Sequence, residues 1–441
     1  MIRTRIGAAA VLGAAAMVLS ACSTGSAGGG ADAPQSSVAA VDGTGKTLTV
    51  WVMDGDYSTA TLAAIDSAFT KATGAKVDLQ VQEWTNITTK ITTALATSNP
   101  PDVLDLGNTQ VASFATNGGL LDLSSYATDL KQGQTWLGGL VDPATVDGSL
   151  YAVPGFAGAR AVIYDKTLWA KAGITAAPTT YAQLTADLDK VKAANHSPSF
   201  SAFYLPGQDW YGGMQFVWDA GGQIATQANG TWTSGFASAK AQAGLAAFKT
   251  FENAYSTAGS RTLDTTTPDQ NQVFADGHAG AILSTSSSLA IIEKDNPKLT
   301  DADLGTFPFP GQSGHNQPVM LGGSDWGIAA KSADAELAVE WAKIAASPQI
   351  EQQWVVGHDG WIPNSAQSIQ AAAGTVPSLD QAFFTAALSS QATPASPNWA
   401  QIEGAKNINN LFSSIASGTA TAQGAAGTFD SAADPILNTA N

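Results

Sequence analysis

The chain has 441 residues, 44% of them hydrophobic, with 36 acidic against 20 basic side chains and a formal net charge of −16. Its length suits two domains with sizeable cores. The absence of any Lys/Arg cluster excludes nucleic-acid binding, which needs grouped cations against phosphate. A single cysteine excludes an internal disulfide, so packing alone must hold the fold.

The chain opens with Arg3 and Arg5, an apolar run from Ile6 to Ala21, and the sequence Leu19-Ser20-Ala21-Cys22. A basic start, an apolar middle and a small-residue end make an export signal. The run is short for a membrane-spanning helix, which takes about 20 apolar residues. The Leu-x-Ala-Cys ending resembles the bacterial lipobox. That resemblance implies cleavage before Cys22 and a diacylglycerol on its thiol. An ordinary signal peptide or an uncleaved anchor is the alternative. Ser23 to Gly45 is dominated by Ser, Gly, Ala and Thr, and reads as a flexible tether. The expected mature protein is exported and lipid-anchored to the outer face of the cytoplasmic membrane. Two acyl chains suffice for that.

Regular structure begins at Lys46. Leu48 to Val52 reads as a buried strand, Asp54-Gly55-Asp56 as a turn, and Ser58 or Thr59 as the cap of a helix with Leu62, Ile65 and Phe69 inward. Val77, Leu79 and Val81 alternate as a second strand. Ile87, Ile91 and Leu95 mark a second helix that stops at Asn99-Pro100-Pro101. Val103 to Leu106 is a third strand, and Gln110 to Asn117 a helix closed by Gly118-Gly119. Such alternation implies a parallel sheet covered on both faces. It restarts with a strand at Ala161 to Tyr164, a helix from Lys166, another through Ala194, and a strand at Phe200 to Leu205. Helices around Gly212 to Ala220 and Ser238 to Ala254 follow. Strands are expected at Ala279 to Leu283, Leu304 to Phe309 and Gly327 to Ala330, then a helix at Ala333 to Ala346. From Pro348 onward only helices are expected. The joint between two α/β domains falls near Pro154 to Ala159.

No catalytic grouping stands out. His196, His278, His315 and His358 are scattered without zinc spacing, and there is no Gly-x-Ser-x-Gly elbow. Neither a metal nor a cofactor is expected. Gly43-Thr44-Gly45-Lys46-Thr47 lacks the first glycine of a phosphate loop and precedes a strand instead of following one. Asp54 with Asp56, or Asp102 with Asp105, could form the carboxylate pair of a glycoside hydrolase, but such aspartates usually form turns and caps. A binding cleft remains. Ligands of open α/β sheets sit off the carboxyl ends of strands. Asp54, Asp56, Glu83, Trp84 and Asn108 fall there. Acids and amides beside an indole suit a sugar, whose hydroxyls they bond and whose ring C–H face the indole covers. Of 12 tryptophans, Trp210, Trp326, Trp361 and Trp399 sit beside Gly, Asp, Asn or Pro, and Trp84 two residues before Asn86, in contexts expected of element ends.

Leu48-Thr49-Val50-Trp51, Pro101-Asp102-Val103-Leu104 and Gly119-Leu120-Leu121-Asp122-Leu123 resemble the first domain of the solute-binding proteins of carbohydrate ABC importers, the maltose-binding-protein family. Tyr151-Ala152-Val153-Pro154 with Val162-Ile163-Tyr164-Asp165-Lys166 resembles that family's first hinge crossing, and Gly322-Gly323-Ser324-Asp325-Trp326-Gly327 a later one. The resemblance implies a two-lobe periplasmic-binding-protein fold of type II. Each lobe is then a mostly parallel sheet flanked by helices, and the chain crosses three times between them. One lobe would hold residues 46–155 and 308–346, the other 160–305 and 348–441. Carried over, the ligand-binding positions are Asp54, Asp56, Glu83, Trp84, Asn108, Arg160, Asp209, Trp210, Ser286, Ser287, Asp325, Trp326, Trp361, Trp399 and Glu403, with Gly158 and Gln208 beside them. Ser286 and Ser287 stand where many relatives have Gly-Pro-Trp. The implied protein is a monomeric receptor without catalysis. It takes a mono- or oligosaccharide, N-acetylated amino sugars included, and delivers it to ABC permease subunits in the membrane. A polyamine receptor of the same fold and a membrane-tethered glycoside hydrolase remain as rivals.

Overall fold

The computed structural model describes residues 41–439. The signal, Cys22 and the tether to residue 40 lie outside the described residues. The strands of the first part are β1 (Thr47–Met53), β2 (Lys76–Gln82), β3 (Val103–Gly107), β4 (Thr145–Val146), β5 (Ser149–Leu150) and β6 (Ala152–Gly158). There follow β7 (Arg160–Asp165), β8 (Ala225–Ala228), β9 (Thr231–Ser234), β10 (Ala281–Thr285) and β11 (Leu304–Phe307). Last come β12 (Val319–Met320), β13 (Gly322–Ile328), β14 (Ile362–Pro363) and β15 (Ser390–Gln391).

One sheet runs β14-β6-β13-β3-β1-β2. In β1, Leu48, Val50 and Val52 are fully or almost fully buried and alternate with more accessible side chains. The helix Thr59–Thr73 covers them with Leu62, Ile65 and Phe69. Ser58 is its cap, accepting the Thr61 N–H, and Gly74 ends it at φ 74°, a left-handed position that suits glycine. β1 is parallel to β2 and β3, whereas β13 is antiparallel to both β3 and β6. A second sheet has the order β10-β7-β11, with β7 antiparallel to both neighbours. β7 follows β6 after a single residue, Ala159, so the chain passes from one sheet to the other with no helix between.

Phe200 to Leu205 is not a strand. It makes only isolated parallel bridges, Ser201 to Ala279 and Tyr204 to Ile282, between Pro198 and Pro206, which supply no ladder donor. Two hairpins also escape the sequence reading. β4 and β5 turn at Asp147-Gly148 (φ 50° and 86°), and β8 and β9 at Asn229-Gly230 (φ 50° and 77°). Asp-Gly and Asn-Gly are the favoured two-residue hairpin turns. The tail is not wholly helical either. β14 pairs with β6 in the first sheet, although the sequence places Pro348 onward in the second lobe.

Each sheet has its own core. Trp326 and Trp341 fill the first, and Trp169, Trp399 and a phenylalanine cluster fill the second. A third set, including Leu140, Ala157, Ala159, Ile163, Leu321 and Phe383, surrounds the β6–β7 crossing.

In the second core the buried Glu252 carboxyl takes the Ser260 hydroxyl and the Arg261 guanidinium. It thereby ties the helix Ala239–Tyr255 to the turn Ala258–Thr262. That turn holds the loop before Tyr211, through Gly207 N–H to Ser260 and Gln208 N–H to Leu263. Burial pushes Glu252 up to about 7, against the pull of Arg261 and its hydrogen bonds. The folded chain therefore keeps a proton that the unfolded chain releases near its ordinary value. This contribution is complete at acid pH and is lost as pH rises toward about 7. Glu252→Gln should flatten the fall in melting temperature between mildly acid and neutral pH. A thermal melt series of both proteins checks this.

Candidate functional site

A cavity of about 440 Å³ opens where the carboxyl end of the first sheet meets the second, within the range of small-molecule sites. The first sheet contributes Asp56 after β1, Trp84 after β2, Phe156 on β6, Ser324 on β13 and Trp361 before β14. Across from them stand Arg160 at the start of β7, Tyr211, Thr285 at the end of β10, and Ser286 and Ser287 at the head of the helix Ser287–Asp295. Arg160 and Thr285 are direct partners in the β7–β10 ladder.

Asp56 organises the first-sheet side. Its Oδ1 accepts the Trp84 indole N–H at 3.3 Å, its Oδ2 the Ser324 hydroxyl at 2.6 Å, and its main-chain carbonyl the Trp361 indole N–H at 2.7 Å. Gly55, at φ 88°, lets the turn bring Asp56 back over the strand ends. Behind it runs an aromatic stack. Trp361 lies 4.6 Å from Phe156, Phe156 meets Tyr57 edge-on at 5.1 Å, and Tyr57 stacks on Trp326 at 5.0 Å. Burial pushes the Asp56 carboxyl up, and the Ser324 and Trp84 hydrogen bonds pull it back. Gly323 allows β13 its close approach to β6, since a Cβ there would lie 2.1 Å from the Phe156 carbonyl oxygen.

On the opposite side the Arg160 guanidinium lies 3.9 Å over the Tyr211 ring, a cation–π contact. Tyr211 stacks on Trp210 at 4.1 Å, and Trp210 meets Trp399 edge-on at 6.1 Å. Asp209 caps the helix Trp210–Asp219 through the Gly212 N–H. Burial raises its carboxyl, and the nearby Arg160 charge opposes the rise.

Several expected contacts therefore take other roles. Trp326, Trp210 and Trp399 are 1%, 3% and 0% exposed, so none offers a face to a ligand. Trp210 and Trp399 form the layer under Tyr211 instead. Asn108 is buried and its amide donates to the Gly139 and Leu321 carbonyls, a bond set of the crossing region. Asp325 is wholly buried, with neither carboxyl oxygen hydrogen-bonded, and burial holds it well above the usual carboxylate range. It follows Ser324 where the register between β13 and β6 shifts, and unlike Ser324 it is not part of the cavity lining. Asp54 and Glu83 are exposed and outside the lining. Glu403 is also outside it, near Tyr211, and burial raises it to about 7. Gln208 is engaged with the Thr262 carbonyl. Asp102 and Asp105 serve different places: Asp102 takes the Thr49 N–H and the Ser332 hydroxyl, Asp105 the Met53 N–H. Asp56, Trp84, Gly158, Arg160, Ser286, Ser287 and Trp361 do converge on the cavity. Tyr211, Phe156, Thr285 and Met320 join them without having been singled out. For Tyr211 the signal was its place beside Trp210 in one loop.

A wider crevice of about 670 Å³ lies between the two hairpins and residues 391–397, bridged by a Gln227 to Asp147 hydrogen bond of 3.2 Å. It offers one indole, Trp232, and no cation. Paired indoles facing a guanidinium and hydroxyls make the smaller cavity the better polyol site. Among the described residues no cluster of three or more His, Cys, Asp or Glu could hold a metal, and no helix is long and apolar enough to cross a membrane.

The sequence profile of the family described as bacterial extracellular solute-binding protein matches residues 55–352. The diacetylchitobiose binding protein DasA of Streptomyces coelicolor is 34% identical over 418 residues, covering 94% of this chain and 95% of that one. The fold is that of the sugar-binding protein MalE from Xanthomonas citri, with a TM-score of 0.77 at 22% identity over 89% of this chain and 97% of that one. The GacH receptor of Streptomyces glaucescens superposes with a TM-score of 0.66 at 19% identity, over 90% and 99% of the two chains.

The placement of the tryptophans has a direct consequence. Trp399→Ala and Trp326→Ala each empty a fully packed site and should destabilise the unliganded protein by roughly 3–5 kcal/mol. Trp84, 39% exposed, should give a much smaller loss, within about 1 kcal/mol. Denaturant unfolding of the three variants measures both.

Proposed function

The chain belongs to the bacterial extracellular solute-binding proteins, and from that premise we propose that it is the receptor of an ABC importer for an N-acetylated amino-sugar oligosaccharide. It captures the sugar between its lobes without chemical change and hands it to the permease. Cys22 carries the lipid that holds it, as a monomer, at the outer face of the cytoplasmic membrane.

One observation carries this reading: Trp84 and Trp361 are both hydrogen-bonded to Asp56 in a cavity that Arg160, Ser286 and Ser287 face from the other sheet. Indoles cover the apolar faces of pyranose rings, and an acetamido carbonyl accepts from a guanidinium or a hydroxyl. The likeness to a diacetylchitobiose-binding relative along nearly the whole chain supports the sugar class. A polyamine fits less well. The lining contains a cation, Arg160, and the Asp56 oxygens already accept from Trp84 and Ser324. Hydrolysis takes two carboxyl groups across one ligand, and the lining supplies one, Asp56.

The ligand assignment is tested by calorimetric titration with N,N′-diacetylchitobiose, its deacetylated dimer, maltose and spermidine. The acetylated sugar should bind best and be recovered intact. At a hundredfold excess over Kd it should stabilise the protein by about 2.7 kcal/mol. Preference for spermidine, or release of monosaccharide, contradicts the reading. Trp84→Ala or Trp361→Ala should weaken binding by roughly 2 kcal/mol, or about 30-fold.

A further inference from the structure

The loop that brings Trp361 to the cavity is tied twice to the turn that carries Asp56. The Trp361 indole N–H donates to the Asp56 carbonyl at 2.7 Å. Two residues earlier, Asp359 Oδ2 accepts the Ser58 main-chain N–H at 3.3 Å. Trp361 with Asp56 and Asp359 with Ser58 run in opposite senses along the two segments, as rungs do between antiparallel strands, so together they fix a register. Between the rungs Gly360 sits at φ 76°. A Cβ there would meet nothing within 4 Å, so the glycine serves the left-handed turn and not a close approach.

Asp359 is turned inward from an exposed loop. Gly357, His358 and Gly360 around it are exposed, yet its own side chain is 4% exposed. A carboxylate is buried only where hydrogen bonds offset the loss of water. The N–H it takes belongs to a helix cap. Ser58 caps the helix Thr59–Thr73 with its Oγ, and that helix has no acid in its first turn. Where a Glu or Gln occupies the third helical position, it reaches back to the cap's own N–H. Here that position is Thr61, whose hydroxyl accepts from Ser58 Oγ at 3.0 Å. Asp359 supplies the missing acceptor from 301 residues along the chain, at the helix end that favours a negative charge.

His358 faces the other carboxyl oxygen. Its Nδ1 lies 3.0 Å from Asp359 Oδ1 and 3.2 Å from Ser58 Oγ. A carboxylate only accepts, so Nδ1 carries the hydrogen. The serine and the carboxylate thus meet the same ring nitrogen. A proton relay from serine needs them on different nitrogens, so this meeting of Ser58, His358 and Asp359 is a clamp and not a hydrolytic triad.

We propose that Asp359 is a positioning residue of the sugar site: it clamps the Trp361 loop to the cap of the helix Thr59–Thr73 and so presents the Trp361 ring already in place. The loop's main-chain N–H groups bond back to the Trp354, Val355 and Val356 carbonyls, which shapes the loop without aiming it at the turn. With the carboxylate gone, the half-exposed His358 ring loses its partner, and the Trp361 indole must hold its own loop while receiving a sugar. A ring that is ordered only on binding costs affinity.

This inference rests on the cavity being the sugar site, so the test separates the two ideas. In the full chain, Asp359→Ala removes the acceptor, and Asp359→Asn keeps an oxygen for the Ser58 N–H. Asp359→Ala should weaken N,N′-diacetylchitobiose binding on the order of tenfold, the loss expected of a hydrogen bond to a charged group. It should not exceed the roughly 30-fold of Trp361→Ala, because it acts through that ring. Asp359→Asn should restore most of the loss. In a Trp361→Ala background, Asp359→Ala should cost less than about twofold, since residues acting through one contact are not additive. Without sugar, hydrogen exchange of the Trp361 indole N–H, recognised by its absence in Trp361→Phe, should quicken roughly tenfold in Asp359→Ala and stay near wild type in Asp359→Asn. Asp359→Leu, equally without an acceptor, takes the place of the alanine variant should that one not fold. Wild-type affinity in the acceptor-free variant, an equal loss with and without the Trp361 ring, or unchanged indole exchange overturns the proposal. If the wild type binds no sugar while the exchange responds as stated, the clamp stands and the ligand assignment fails.

Discussion

The Asp56 carboxylate holds the indole of Trp84 and the hydroxyl of Ser324, and its main-chain carbonyl holds the indole of Trp361. Three separate pieces of chain, after β2, on β13 and before β14, are thus referred to one residue in the turn after β1. An indole on a loop is free to rotate, and a ring that must be ordered on binding costs affinity. Anchored N–H groups remove much of that cost and leave the ring faces available. Other features follow from this anchor: the Gly55 turn, the close β13–β6 approach at Gly323, and the aromatic stack from Trp361 to Trp326 that backs the cavity with solid packing.

The second side is built on a different principle. Its cation, Arg160, lies over the Tyr211 ring, which is supported in turn by Trp210 and Trp399. Arg160 also begins β7, one residue after β6 ends. The first-sheet wall and the guanidinium opposite are therefore joined by a single residue of chain, Ala159, and small alanines keep that crossing closely packed. A ligand that touches both sides selects the arrangement in which both are in reach, and only to the extent of its differential contacts.

Periodic burial made much of the architecture legible. Leu62, Ile65 and Phe69 announced their helix, Leu48, Val50 and Val52 their strand, and the basic-apolar-cysteine start announced export. Local signals with little apolar content were passed over, as at Asp147-Gly148 and Asn229-Gly230. The site was harder, for a physical reason. A polar neighbour marks an element end without saying which way the side chain turns. Asp325 and Ser324 are adjacent on β13, yet Ser324 bonds Asp56 while Asp325 is buried without a hydrogen-bond partner. Trp210 and Trp399 sit at such ends and Trp326 lies inside β13, and all three fill cores. Trp84 and Trp361 were separable from them only once their indole partners were known. Asn108 matched a ligand position by motif, but its amide is spent on the Gly139 and Leu321 carbonyls.

A crystal structure of the protein with N,N′-diacetylchitobiose bound tests the account most directly. It should place a pyranose face against Trp84 or Trp361 at van der Waals distance, about 4 Å. Both indole N–H groups should still rest on Asp56, and Arg160 should reach the sugar from the other side. A sugar seated instead in the crevice between the β4–β5 and β8–β9 hairpins, or one that displaces the indoles from Asp56, would contradict it.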